Sequence, residues 1–337
     1  MIGLYVLVAA AALVWGAVVI RRLDLLTISV GVLALGYVFP HAFWNADVGV
    51  TTLTVDRVAI LFVATTLLCH LLWGRTVATS WTAADVIVLG LLGYLTIRCA
   101  ATSPPIGEFR SNVGPWWRII AGFWMPAVLY AAARLGALDE RVWKRAATGL
   151  VVLGSYLALT AIAEVHQQWW AVFPRFIADS ELGTHFGRAR GPALMSASLG
   201  VYLTASFWAS WVLWRRANLA VKLALGIGMA AMTAGVYYTY TRSTWLGLIA
   251  GWGLLGLLHL PKRTRLPALL GTLLLGVALV GLGGSDVTNL SRNDNDGSAS
   301  HSAYQRASFA YLSLQMFRDA PWLGCGVSRF YDCKLPY

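Results

Sequence analysis

Long apolar runs recur along the whole chain, each close to the length a helix needs to cross a bilayer. Charged, Gly/Pro-rich or polar clusters separate them. The pattern predicts helices over 2–20, 25–40, 57–73, 85–101, 118–134, 146–164, 192–214, 221–240, 243–260 and 266–283. That is about ten spans, and the fold class expected is an all-α, polytopic membrane protein. After the last run the chain turns polar: an Asp- and Ser-rich stretch over 285–302 precedes a helical pattern over 304–318, which Asp319-Ala320-Pro321 stops. Gly247 and Gly251, four apart, are expected where two helices approach closely.

Composition agrees. The chain is 58% hydrophobic and 12% charged, where a soluble domain carries about 25% charged residues. No basic residue precedes the first run, and Arg21 and Arg22 follow it. This is the reverse of a secretory signal, so the first run reads as a transmembrane helix with its N-terminus outside. Alternating from there, short dense clusters such as Arg141–Arg145, Arg215–Lys222 and Lys262–Arg265 fall on the inner side, as the positive-inside rule requires. The segment 1–283 is then a transmembrane domain and 284–337 a large extracytoplasmic loop. The net charge of +11 is accounted for by that bias and by anionic lipid head groups, so nucleic acid is not an expected partner.

The basic residues left for the outer loops, at 41–56, 102–117, 165–191 and 284–337, are arginine except for Lys334. A codon bias toward arginine accounts for the set equally well, but not for the other lysines all falling inside. Cys69 and Cys99 lie in apolar runs; Cys325 and Cys333 lie in the C-terminal loop and can pair if it is extracytoplasmic. No Cys/His spacing resembles a zinc site, and no metal or cofactor is implied.

Three outer stretches carry candidate chemistry. Tyr237–Gly247 is a turn between two apolar runs, with Arg242 at its tip amid Tyr237, Tyr238, Tyr240 and Trp245. Aromatic rings collect at a membrane–water boundary, and an arginine held there is costly unless an anion uses it. The other two are Gly187-Arg188-Ala189-Arg190-Gly191-Pro192 and Tyr304–Phe330. Together they resemble the O-antigen ligase and O-antigen polymerase superfamily. The family's Thr-Arg-Ser-x-Trp-Leu-Gly turn is matched at 241–247, and its Arg, amphipathic helix and Asp-x-Pro-x-x-Gly-x-Gly-x-x-x-Phe pattern at 306–330. An Arg-x-x-Gly-Pro-like helix entry is matched loosely at 188–192, and the resemblance covers about 185–337.

The resemblance implies a metal-independent membrane glycosyltransferase of the bacterial inner membrane, acting in O-antigen or other surface polysaccharide assembly. Its donor would be a glycan linked to undecaprenyl diphosphate. Its acceptor would be a hydroxyl of lipid A core, growing polysaccharide or protein, reached with inversion on the periplasmic face. Guanidinium forks hold phosphate bidentately and never deprotonate, which suits arginine to a diphosphate leaving group without metal. By motif match, Arg242 and Arg306 would be the catalytic diphosphate ligands, with Arg190 or its neighbour Arg188 as a third substrate-binding residue. Arg98 and Arg118 flank the loop 102–117 and suit interface anchoring better than a head-group path.

Glu164, His166 and His185 stand as fallback general bases, and Trp169 and Trp170 as sugar-stacking rings, although interfacial aromatics and loop histidines are ordinary in membrane proteins. The family carries a His-Asn motif later in the large loop, whose histidine activates the acceptor. Here the chain ends at Tyr337, and His301 precedes Arg306 without matching that motif. The expectation is a fragment, with an incomplete loop, or a protein lacking that base. The rival class is a transporter or flippase of lipid-linked saccharides, which would show inverted repeats and midplane charges; no clear repeat is visible.

Overall fold

A computed structural model describes residues 14–47, 52–77, 80–102, 114–259, 261, 263–267, 269–271, 273–274 and 298–334. Residues 14–22 are helical. There follow α1 (Leu25–Val38), a ribbon of β1 (Asn45–Asp47) and β2 (Thr52–Thr54), α2 (Val55–Leu72), α3 (Ala83–Ala101), α4 (Pro115–Ile119) and α5 (Met125–Leu135). The second half holds α6 (Glu140–Val165), α7 (Ser196–Trp214), α8 (Leu219–Tyr238), α9 (Arg242–His259), α10 (Ser298–Asp319) and the single turn α11 (Phe330–Cys333). By length and composition α2, α3, α6 and α8 suffice to cross a membrane. The start of the expected first helix, most of the one at 266–283, and the Asp/Ser-rich stretch up to 297 lie outside the described residues.

Packing divides the chain into two compact units that alternate in sequence: Met1–Cys69 with Ala137–Asn293, and His70–Gly136 with Asp294–Tyr337. In the first, polar caps set the starts of the long helices. Asp24 accepts the Thr27 amide at 2.8 Å, Asp139 the Val142 amide at 2.7 Å and Asn218 the Val221 amide at 3.0 Å, each cap stabilising its helix by about 1 kcal/mol. The Asp139 cap starts α6 at Glu140, well before the expected position 146.

Small residues let α6, α7 and α8 approach. A Cβ on Gly154 would overlap Ser206 and Met232, and one on Gly235 would come within 2.9 Å of Leu203. Around these contacts Leu157, Leu199, Leu203 and Met232 are wholly buried, a close van der Waals fit of the kind that holds helices together in lipid. Of the glycine pair in α9, Gly251 is the contact, against Trp208, while Gly247 meets nothing within 4 Å.

The ribbon was not expected from the apolar pattern. Asn45 pairs with Thr54 and Asp47 with Thr52, and Arg57 ties it to α2 by donating to the Thr52 carbonyl and, at 2.8 Å, to its hydroxyl.

In the second unit, α3 and α5 form a hairpin pinned at one end by Asp85. Its carboxylate accepts from Tyr130 at 2.7 Å and from Arg134 at 3.1 and 3.2 Å, and closes a capping box with Thr82. Between α4 and α5 the helix widens to a π turn over Ile120–Trp124, where Pro126 has no N–H to give the Gly122 carbonyl. The other end of α3 carries the C-terminal stretch: Tyr94 donates to the Trp322 carbonyl at 2.9 Å and Arg98 to the Gly324 carbonyl at 3.4 Å. The half-buried stripe of α10 is Ser308, Phe309, Leu312, Gln315 and Met316. Tyr304 and Tyr311 are exposed.

Candidate functional site

The turn between α8 and α9 is held by its own side chains. Thr239 donates to the Val236 carbonyl at 2.7 Å and meets Thr244 at 3.3 Å, and Thr244 donates back to the Thr241 carbonyl at 2.8 Å. Trp245 donates its indole N–H to the same Val236 carbonyl at 2.9 Å, and its ring stacks on Tyr237 at 5.4 Å. Tyr240 takes the left-handed conformation, φ 48°. Thr244 is buried against Gly200, where any Cβ would overlap it.

This lock presents Arg242. The sequence placed it at the tip of the turn; it is the first residue of α9, and it is exposed. Among the described residues its guanidinium has no hydrogen bond or ion pair. A helix N-terminus carries partial positive charge, so the position favours an anionic ligand in two ways.

Arg190 is arranged in the opposite way. It is wholly buried, and its guanidinium is taken up by protein acceptors. Nε lies 3.3 Å from Glu164 Oε1, Nη1 donates to the Leu182 carbonyl at 2.6 Å, and Nη2 donates to Ile177 and Asp179 carbonyls at 2.9 and 3.2 Å. The Phe186 ring covers it at 4.7 Å. Glu164 Oε2 accepts the amides of both Arg190 and Gly191 at 2.9 Å. Arg190, expected as a third diphosphate ligand, thus pins the loop 177–191, with four of its five guanidinium N–H groups directed at protein acceptors. The carboxylate of Glu164, one of the expected fallback bases, is engaged in the same pin.

The pinned loop is joined to the turn. The Ala189 amide donates to the Tyr238 carbonyl at 3.0 Å, and the Tyr238 hydroxyl lies 3.4 Å from His166 Nε2. Arg188 (half-buried), next to Ala189, and His166 (exposed) are thus linked through Tyr238 to the turn that carries Arg242, all within the first unit. His185 is exposed with φ 59°. Trp169 stacks on Phe186 at 5.9 Å, whereas Trp170 is 78% exposed.

Arg306 lies in the first half of α10, in the second unit. Its side chain is outside the described residues. Sequence reasoning missed the anchoring role of Glu164. The signal was there, since an acid near the end of an apolar helix needs a partner.

Residues 227–335 match the model of a family described as O-Antigen ligase, a span that contains both Arg242 and Arg306. No curated protein and no solved structure matches the chain. That family's description suggests glycan transfer of the O-antigen ligase type, and four described helices are long and apolar enough to cross a membrane.

Proposed function

We propose, from the membership of residues 227–335 in the O-antigen ligase family, that this chain transfers a glycan from a lipid-diphosphate donor to an acceptor hydroxyl at the extracytoplasmic face of the bacterial inner membrane. In this reading about ten helices span the bilayer, 1–283 forms the transmembrane domain, and 284–337 lies outside. The donor is a glycan on undecaprenyl diphosphate, and the acceptor is lipid A core, polysaccharide or protein. The observation that carries the proposal is Arg242: exposed, unengaged among the described residues, and fixed at a helix N-terminus by the Thr239–Thr244–Trp245 lock.

As the glycosidic bond breaks, negative charge grows on the oxygen that stays with the diphosphate. Fixed cations at a low-dielectric membrane edge stabilise that charge where it develops, without metal. Arg242 supplies one bidentate fork, Arg306 a second, and Arg188 replaces Arg190 as the third candidate. Inversion follows if the acceptor hydroxyl attacks opposite the leaving diphosphate, losing its proton to a base.

The test is equilibrium binding of undecaprenyl diphosphate to the purified chain in nanodiscs. Binding is expected to weaken with salt, to be competed by inorganic diphosphate, and to fall at least about tenfold in Arg242→Ala and Arg306→Ala, roughly one charge-assisted contact each. Equal binding by both variants and wild type would overturn the donor-site assignment.

A further inference from the structure

Cys325 and Cys333 lie beside one another in the described C-terminal stretch. Cys325 sits between two glycines in the left-handed region, Gly324 at φ 57° and Gly326 at φ 95°, a conformation that reverses the chain there. The chain then returns through Ser328, also left-handed at φ 64°, into α11, whose last residue is Cys333. This return brings the Cys333 sulfur to 3.8 Å from the Cys325 carbonyl oxygen. Both cysteines are half-buried and carry free thiols. Burial raises the Cys333 thiol above its usual range, and the Cys325 thiol beside it raises it further.

The segment these thiols frame is attached at both ends. On one side Trp322 and Gly324 accept hydrogen bonds from Tyr94 and Arg98 of α3, and a Cβ on Gly326 would overlap Thr102. On the other, Phe330 and Tyr331 pack edge-on against Phe309 of α10 at 5.6 and 6.3 Å, and Lys334 lies over Tyr331 at 4.4 Å. Phe309 is one helical turn after Arg306. A link between the two cysteines would hold α11, and through Phe309 the part of α10 that carries Arg306, against α3.

We infer that Cys325 and Cys333 are a modification site: an intramolecular disulfide formed by a thiol oxidase of the extracytoplasmic compartment. The proposal rests on the outward placement of 284–337 in the functional reading above, since structural disulfides persist only in an oxidising compartment. The Cys325 thiolate attacks the oxidase's disulfide, giving a mixed disulfide and one free oxidase thiolate. Cys333 then attacks the Cys325 sulfur and expels the second oxidase thiolate. Two protein thiols lose two protons and two electrons, and the oxidase disulfide is reduced to a dithiol. Joining residues so close in sequence closes a short ring, so the bridge acts as a local staple of the loop.

The experiment uses the full chain with its native cysteines. Cells are quenched in acid and alkylated, and the purified protein is digested with trypsin. Cleavage after Arg318, Arg329 and Lys334 places the two cysteines on separate peptides, 319–329 and 330–334. The expected result is one joined species that reductant splits, with both cysteines protected from alkylation beforehand and modified after it. Cys325→Ser should leave Cys333 alkylatable without reductant, and Cys333→Ser the converse. In parallel, the reduced protein in nanodiscs is equilibrated with an oxidising glutathione buffer. Free thiols in both arms overturn the bridge and leave the functional reading standing. A bridge in the buffer but free thiols in the cell overturns the extracytoplasmic oxidation, and with it the outward placement of the loop. A disulfide-linked dimer on a non-reducing gel also overturns the proposal.

Discussion

Glu164 and Arg190 form a buried ion pair across the end of α6, 3.3 Å from Nε to Oε1, with side chains 3% and 0% exposed. The pair is completed by backbone groups on both partners, two amides to the carboxylate and three carbonyls to the guanidinium. The cost of burying two charges is offset only by such complete satisfaction. The consequence is a loop of fixed shape that hands Ala189 to the Tyr238 carbonyl.

Removing either partner should therefore be severe. Arg190→Ala or Glu164→Ala is expected to destabilise the protein by about 3–5 kcal/mol, because the other charge stays buried and unpaired. Thermal unfolding of the purified chain in detergent measures this. Replacing both with apolar residues of similar volume should recover much of the loss. An Arg190→Ala variant of wild-type stability with lost donor binding would return Arg190 to the ligands.

The helix contact at Gly154 makes a separate prediction about packing. Gly154→Val forces its side chain into Ser206 and Met232, and overpacking of this kind costs about 1–3 kcal/mol. Gly247→Ala, where nothing lies within 4 Å, should leave the unfolding temperature unchanged or slightly raised. Equal effects of the two substitutions would contradict the helix arrangement.

Much of this was legible in the sequence, and the failures have physical causes. Apolar runs located α2, α3, α8 and α9 to within a few residues, because lipid or core exposure leaves few alternatives to a helix. The start of α6 was missed because Asp139 and Glu140 precede the apolar run, and a cap is read only with its helix. The ribbon at Asn45–Thr54 was missed because three-residue strands have too little alternation to register. Arg190 and Arg188 could not be told apart by spacing. Which one turns inward is decided by Glu164, distant in sequence.

His166 and His185 are both loop histidines, yet among the described residues it is His166 that meets Tyr238. If His166 serves the acceptor hydroxyl, His166→Ala should slow glycan transfer by about 10²–10⁴-fold, with donor binding kept. His185→Ala should have little effect on either. The measurement is transfer rate beside donor affinity for each variant, and loss of donor affinity in His166→Ala would mark it as structural.

Orientation can be checked directly. Cysteines placed singly at Ser180 and at Thr264, in a background without the native cysteines, are treated with an impermeant maleimide on spheroplasts. Position 180 should react in intact spheroplasts and position 264 only after permeabilisation. Labelling of 264 without permeabilisation would reverse the topology and remove the site from the outer face.

The role proposed for Arg242 is to grip the donor diphosphate with a bidentate fork. Its most direct measurement is glycan transfer in a null strain complemented with wild type, Arg242→Ala or Arg242→Lys, at matched membrane protein levels. Lysine keeps the charge but not the planar pair of donors. The lysine variant is expected to fail nearly as badly as the alanine variant. Full transfer by Arg242→Lys would contradict that role.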